Sequence, residues 1–185
     1  MLKICLTFLV FAITLSGFSQ NDIKNLKNGV VLVKLYTNAN KIAALEKQGL
    51  NKRAEDEKKK VELEHLEIIN AFKKEFKFTN YYFFYSNNMN EIKKGDYANV
   101  IDSLKQGAHI DKPDSMVYIL DSRSYYSESM ASSYLGFSML NNKGEQLEKP
   151  FPYYVRKREA LWFLRRSYFD LTRIMNKQLE EYLKD

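Results

Sequence analysis

Residues 29–36, Gly-Val-Val-Leu-Val-Lys-Leu-Tyr, restrict the fold more than any other stretch of the chain. A strand with one face in water alternates apolar and polar side chains, whereas this run is nearly continuous and rich in β-branched residues. Such a strand must be covered on both faces. It therefore belongs in the middle of a sheet with a parallel neighbour, and the covering layers must come from helices elsewhere in the sequence.

The helices are legible on either side of it. Thr37-Asn38-Ala39-Asn40 offers a capping residue, and a helical pattern follows from about Lys41 to Lys77, with Ile42, Leu45, Val61, Ile68, Ile69, Phe72 and Phe76 as its apolar positions. Within it, Asn51 to Lys60 has only Ala54 as an apolar residue, so this part is expected to be solvated on all sides. Glu55 with Lys59 and Asp56 with Lys60 stand at the i,i+4 spacing that supports a free-standing helix. One unbroken helix over this span would be ~55 Å long at 1.5 Å per residue, against roughly 40 Å for a compact domain of this size. It must protrude or break near Gly49. A protruding arm would suit a partner, and a solvated helix hairpin would need none.

Tyr81 to Tyr85 is a second, aromatic strand, ended by Ser86-Asn87-Asn88. A short helix is expected over Tyr97 to Lys105 and a third strand over Met116 to Leu120, the latter ending in Asp121-Ser122-Arg123. Tyr134 to Leu140 and Glu145 to Glu148 flank Asn141-Asn142-Lys143-Gly144 as a hairpin. From about Lys157 to Leu183, Leu161, Leu164, Tyr168, Leu171, Met175, Leu179 and Tyr182 make the apolar stripe of an amphipathic C-terminal helix. There is no internal repeat and no low-complexity linker. Residues 20–185 are expected to form a single α/β domain.

Residues 1–19 have the pattern of a secretory signal peptide. Lys3 is followed by an apolar stretch from Ile4 to Leu15 and by small residues at Gly17-Phe18-Ser19, so cleavage is expected before Gln20. The stretch is short for a permanent membrane anchor, which needs about 20 apolar residues. Cys5 precedes the apolar core, which argues against a lipoprotein, and leaves with the signal. The remaining chain has no cysteine, hence no disulfide, thiolate nucleophile or thiolate metal ligand. The net charge of +6 comes from interspersed Lys and Glu, as in ordinary solubility. Export argues against a nucleic-acid partner and places the chain in the periplasm or outside the cell.

The order of elements, together with Gly29–Thr37 as first core strand and Leu135–Leu147 as a late Gly-turn hairpin, resembles exported thioredoxin-like proteins. The resemblance implies a single thioredoxin-like domain with a central mixed sheet, a long charged helix insertion and a C-terminal amphipathic helix. In that family Cys-x-x-Cys follows the first strand, where this chain has Thr37-Asn38-Ala39-Asn40. The resemblance therefore implies a fold without its redox site. Pro150 to Tyr154, after the Val-rich and aromatic strands, is also similar to uncharacterised exported bacterial proteins.

Ligands of open α/β sheets sit beyond the carboxyl ends of the parallel strands. Asn38, Asn40, Ser86, Asn87, Asp121 and Arg123 converge there as a candidate ligand rim, although the same residue types serve as helix caps and turns. On the C-terminal helix, Arg158, Trp162, Arg165, Phe169 and Arg173 fall on one stripe that could hold an anionic or protein partner; alternatively the aromatics widen the buried face and the arginines snorkel along its edge. His65, inside the long helix, has the character of a surface histidine, and no His-x-x-x-His pair, nucleophile elbow or Gly-rich phosphate loop occurs. No catalytic residue, metal site or cofactor is assigned. The expected function is non-catalytic binding of an envelope protein; the alternatives are an enzyme of unrecognised type with its pocket at the strand ends, or a redox-inactive thioredoxin-like client-binding domain.

Overall fold

The structure, a computed structural model, describes residues 23–127, 132–147, 154–157 and 165–184. Residues 1–19, the expected signal segment, lie outside them.

The Val-rich run forms β1, Val30–Leu35, with every residue buried. It pairs in parallel with β2, Asn80–Tyr85, on one side and with β3, Val117–Asp121, on the other. β3 passes through Ser122-Arg123 into β4, Ser124–Ser127, and both run antiparallel along one edge of β5, Ser132–Leu140. A short β6, Tyr154–Arg156, lies on the other edge of β5. The result is a mixed six-stranded sheet in which β1 is an interior strand, between β2 at one edge and β3.

Each face of that sheet has its own cover, as the continuous apolar run requires. Val31, Val33 and Leu35 pack with Phe83, Leu120 and Phe137 beneath three helices. These are α1 (residues 23–28), α3 (Asn51–Glu75) and α5 (Tyr168–Tyr182), which contribute Ile23 and Leu26, Ile68 and Phe72, and Leu171, Met175 and Leu179. Val30 and Leu32 face the opposite way, against Ile92, Val100, Val117 and Ile119. There the cover is the short α4, Met89–Lys93, with the irregular chain that follows it.

The long helix breaks where Gly49 adopts φ 72°, a left-handed conformation that glycine reaches without steric cost. Its first part, α2 (Ala39–Lys47), has no buried residue and folds back on α3 as a helix hairpin. The stretch Asn51 to Lys60 is not solvated all round, because Ala54 and Glu57 are buried. Its charges also pair across the hairpin rather than along the helix: Lys58 meets Glu46 at 2.9 Å and Lys41 meets Glu57 at 2.7 Å, in place of the i,i+4 pairs.

Three further expectations are corrected. Residues 97–105 are turns, because Asp96 accepts the Ala98 N–H and Asp102 accepts those of Leu104 and Gln106, which draws the backbone out of a helical ladder. The Asn141–Gly144 turn forms, with Gly144 at φ 79°, but its return arm makes only the Leu140–Gln146 bridge among the described residues. The antiparallel partner of β5 is instead the β3–β4 arm. Finally, α5 starts at Tyr168, since Ser167 and Asp170 close a capping box at that point.

Candidate functional site

The end of β1 carries an unexpected charge. Lys34 shares the face of Val30 and Leu32 and stands opposite Asp121 of β3, with which it forms a buried ion pair. The Tyr36 hydroxyl donates to Asp121 at 3.0 Å, its ring lies 4.6 Å from the Lys34 ammonium, and the Ser122 hydroxyl donates to the Lys34 carbonyl at 2.7 Å. Burial opposes the Lys34 charge, but Asp121 and Tyr36 outweigh it and hold the ammonium above the ordinary lysine range. Burial, reinforced by the Asp121 charge, likewise pushes the Tyr36 phenol up.

Above this pair, Arg123 lies at the bend between β3 and β4, its guanidinium 4.5 Å from the centre of the Tyr36 ring. Its Nη1 donates to Asn38 Oδ1 at 2.6 Å and its Nη2 to Glu64 Oε2 at 3.0 Å. Glu64 also accepts the Tyr168 hydroxyl at 2.6 Å, and Asn38 donates through Nδ2 to Glu57 at 2.6 Å. A single polar belt thus ties α2, α3, the β3–β4 bend and α5 together. Burial alone would raise the Glu64 carboxyl, yet the bonds from Tyr168 and Arg123 prevail and lower it. The Tyr168 phenol is raised by burial and by Glu64. Asn38 holds φ 52°, a left-handed conformation that asparagine tolerates better than most residues, and its side chain serves this belt instead of capping α2.

Two concavities open around the belt. A cleft of about 940 Å³ lies between α3 on one side and the β3–β4 bend, β5 and the start of α5 on the other. Its walls include Lys59, Lys60, Leu63, Arg123, Leu135 and Tyr168. A shallower hollow of about 390 Å³ is lined by Tyr36, Asn38, Asn40, Ser86 and Asn87.

The candidate rim residues are accordingly gathered at the strand ends but divided by role. Asn38 borders both openings, Arg123 the cleft, and Asn40, Ser86 and Asn87 the hollow. Ser86 accepts the Thr37 N–H at 3.2 Å, joining β2 to the end of β1. Asp121 is not on the rim: it is 7% exposed and supports the floor from below. Of the helical stripe, Phe169 and Arg173 lie on α5, Arg165 precedes its cap and lines the cleft, and Arg158 and Trp162 fall outside the described residues. The five positions therefore do not share one helix face, because Arg165 is outside the helix. His65 is corrected as well. It is buried, its Nε2 lies 2.9 Å from the Tyr36 carbonyl oxygen, and burial lowers its imidazolium pKa.

Glu64, Glu57, Tyr168 and Lys34 are site residues that the sequence did not single out. Only α3 carried a usable sign, since Glu57, Glu64 and Val61 recur at helical spacing among the charges. Among the described residues, no group of three His, Cys, Asp or Glu side chains is placed to hold a metal ion, and no helix is long and apolar enough to cross a membrane. The fold and site define an α/β domain with an open, charged cleft at the carboxyl end of its central strands. Comparison with protein-family models, curated proteins and solved structures finds no match for the chain.

Proposed function

We propose that this chain is an exported, non-catalytic binding domain of the cell envelope, with the strand-end cleft as its binding site. The observation that carries the reading is the state of the four acid–base groups enclosed beside the cleft, Asp56 and Glu67 being exposed carboxylates on its α3 wall. Asp121 is held by Lys34 and Tyr36, Glu64 by Arg123 and Tyr168, Glu57 by Asn38 and Lys41, and His65 lies against a backbone carbonyl. A general base must reach a substrate proton within hydrogen-bonding distance, and each of these groups already has an internal partner. The cleft also presents apolar surface, as Leu63 and Leu135 are 66% and 45% exposed on its walls, which suits a macromolecular partner.

Export rests on Lys3, the apolar stretch from Ile4 to Leu15 and the small residues before Gln20. The thioredoxin-like reading belongs to the same proposal: Thr37-Asn38-Ala39-Asn40 follows β1 and opens α2, with Asn38 on the wall of the cleft, where the resemblance would put the family's Cys-x-x-Cys.

The test is photo-cross-linking in cells from a reactive amino acid at position 63 or 135, with position 104, a distant exposed leucine, as control. One envelope protein captured from 63 and 135 but not from 104 supports the reading. Equal capture from all three, or none, overturns it, and a chain recovered from the envelope with Met1 intact overturns the reading of residues 1–19 as a cleaved signal.

A further inference from the structure

Histidine is the side chain whose charge ordinarily changes between pH 5 and 8, and one of the two in this chain is enclosed at the level of the cleft. His109 is exposed, whereas His65, on α3, is 6% exposed. Leu63 and Glu64, which line the cleft, immediately precede His65, whose own side chain is turned the other way, onto the strand ends. There its Nε2 lies 2.9 Å from the Tyr36 carbonyl oxygen, and its ring is 5.6 Å from that of Tyr85 at the end of β2. His65 therefore pins the cleft-bearing turn of α3 to the ends of β1 and β2.

A carbonyl oxygen only accepts, so Nε2 carries the hydrogen and the neutral ring is the form that fits. A second proton goes to Nδ1 and creates an imidazolium in an enclosed place. The charges that face it do not compensate. Glu64, the carboxylate that acts on the ring, is already bonded to Arg123 and Tyr168, and Lys105 and Arg123 add like charge. Burial lowers the imidazolium pKa and prevails over the Tyr36 carbonyl and the Glu64 charge, which raise it. The contribution of the neutral ring is thus fully present above the unfolded histidine pKa, about 6.5, and is lost as pH falls from there through the lower folded value. A ring that reaches water escapes this cost. It does so when its turn of α3 lifts from Tyr36 and Tyr85, which also draws Glu64 from Arg123 and Tyr168 and moves Leu63 from its place on the cleft wall.

We propose that His65 is an acid-sensitive latch on the cleft: with a neutral ring it holds α3 to the strand ends and the walls at their spacing, and a second proton releases that turn of α3 and loosens the cleft. The consequence for binding rests on the cleft's being the binding site, to which the latch adds regulation by pH.

The test uses the chain from Gln20 onward between pH 5 and 8, as the parent and as His65→Gln, whose side-chain amide keeps an N–H donor and does not titrate. Imidazole C–H resonances in NMR follow the two histidines, and the set missing from His65→Gln belongs to His65. Its midpoint should lie below that of the same chain unfolded in urea. Amide hydrogen exchange, corrected for the intrinsic effect of pH, follows the opening. In the parent, protection of residues 61–68 should fall by up to about tenfold per pH unit below about pH 6.5. It should also stay at least roughly tenfold under that of residues 31–35 in β1, the mark of a local opening as opposed to unfolding of the sheet. A midpoint at or above the unfolded one, protection of 61–68 that does not change with pH, or equal protection of the two segments overturns the proposal. These outcomes are read on the parent alone and decide even where the variant fails to fold; an equal fall in a folded His65→Gln overturns it too. Photo-cross-linking from position 63 at pH 7.5 and 5.5 separates this inference from the one beneath it. Capture at pH 7.5 that weakens at 5.5 supports both. Equal capture at both pH values with no opening of α3 removes the latch and leaves the binding domain, whereas opening of α3 without capture at either pH leaves the latch and removes the binding domain.

Discussion

Replacing Asp121 by asparagine tests the physics beneath the site. Its carboxylate is the acceptor for Lys34 and Tyr36, and the two members of the ion pair have side chains only 11% and 10% exposed. Removing one partner of a buried pair leaves the other charge uncompensated, which costs about 3–5 kcal/mol. The asparagine oxygen retains one acceptor, so the lower end, about 3 kcal/mol, is expected at neutral pH. For a domain of this size that lowers the melting temperature by roughly 6–12 °C. The pH dependence separates this cause from a packing defect. In the parent the Lys34 pKa is raised, so its contribution is fully present below the unfolded-state lysine pKa, about 10.4, and is lost as pH rises through the higher folded value. In Asp121→Asn burial, the largest influence on Lys34, is opposed only by the smaller effect of Tyr36, and the folded pKa is depressed. The unfolded chain then binds the extra proton, and stability should rise with pH up to about 10.4, at no more than about 1.4 kcal/mol per pH unit. Urea denaturation followed by circular dichroism from pH 7 to 11 measures both slopes. A loss below about 1 kcal/mol, or a variant whose stability declines with pH in parallel with the parent, would refute the reasoning. The paired replacement Lys34→Met with Asp121→Asn should recover most of the loss, since it removes the orphaned charge.

Glu64→Gln exchanges a charged acceptor of Arg123 and Tyr168 for a neutral one, at a cost of about 1 kcal/mol. Because the Glu64 pKa is lowered, its contribution is present above the unfolded glutamate pKa, about 4.3, and is lost as pH falls through the folded value; thermal unfolding from pH 2 to 7 should show the parent losing this increment and the variant never having it. Asn176→Ala removes the oxygen that accepts the Lys77 and Phe78 N–H groups at 2.6 and 2.9 Å, and two stranded donors should cost about 2–4 kcal/mol in urea. A Cβ at Gly136 would sit 2.1 Å from the Val155 carbonyl oxygen, so Gly136→Ala should force β6 away from β5 and destabilise by about 1–3 kcal/mol, with faster amide exchange at Val155.

The parts of the fold legible in the sequence are those fixed by local pattern. β1 is evident because its run is apolar whichever way it is turned, whereas the excess length of the helical pattern required only that it protrude or break near Gly49, and the choice between the two was not legible. The end of the hairpin and the start of α5 were decided by side chains bonding to nearby backbone. Ser167-Tyr168-Phe169-Asp170 was a readable sign of the second, at the spacing of a capping box. The site was legible by place and not by membership. Strand ends announce where Asn38, Ser86 and Arg123 gather, but Lys34 and Asp121 are 87 residues apart, and the register that sets them opposite one another depends on the whole β1–β3 pairing. Glu64 and Tyr168 are separated by 104 residues and meet only once α5 has packed on α3.

The cleft exists because two hairpins of unlike kind overshoot the same end of a short sheet. β1 has six residues, about 20 Å of strand, whereas α3 has 25, about 37 Å of helix. Running back alongside β1, the helix must pass beyond it, and α2 covers one flank of the excess. On the other side β3 outlasts β1 by continuing as β4. The space between needs something at its floor to fix the spacing of its walls, because neither projection touches the other through a hydrophobic core. Arg123, Asn38, Glu64 and Tyr168 do this with directional bonds anchored on Tyr36 and, below it, on Lys34 and Asp121. A buried ion pair adds little net stability over an apolar pair, so its value here lies in fixing where Tyr36, and through it Arg123, must stand. Loss of the pair should therefore loosen the walls of the cleft before it unfolds the sheet.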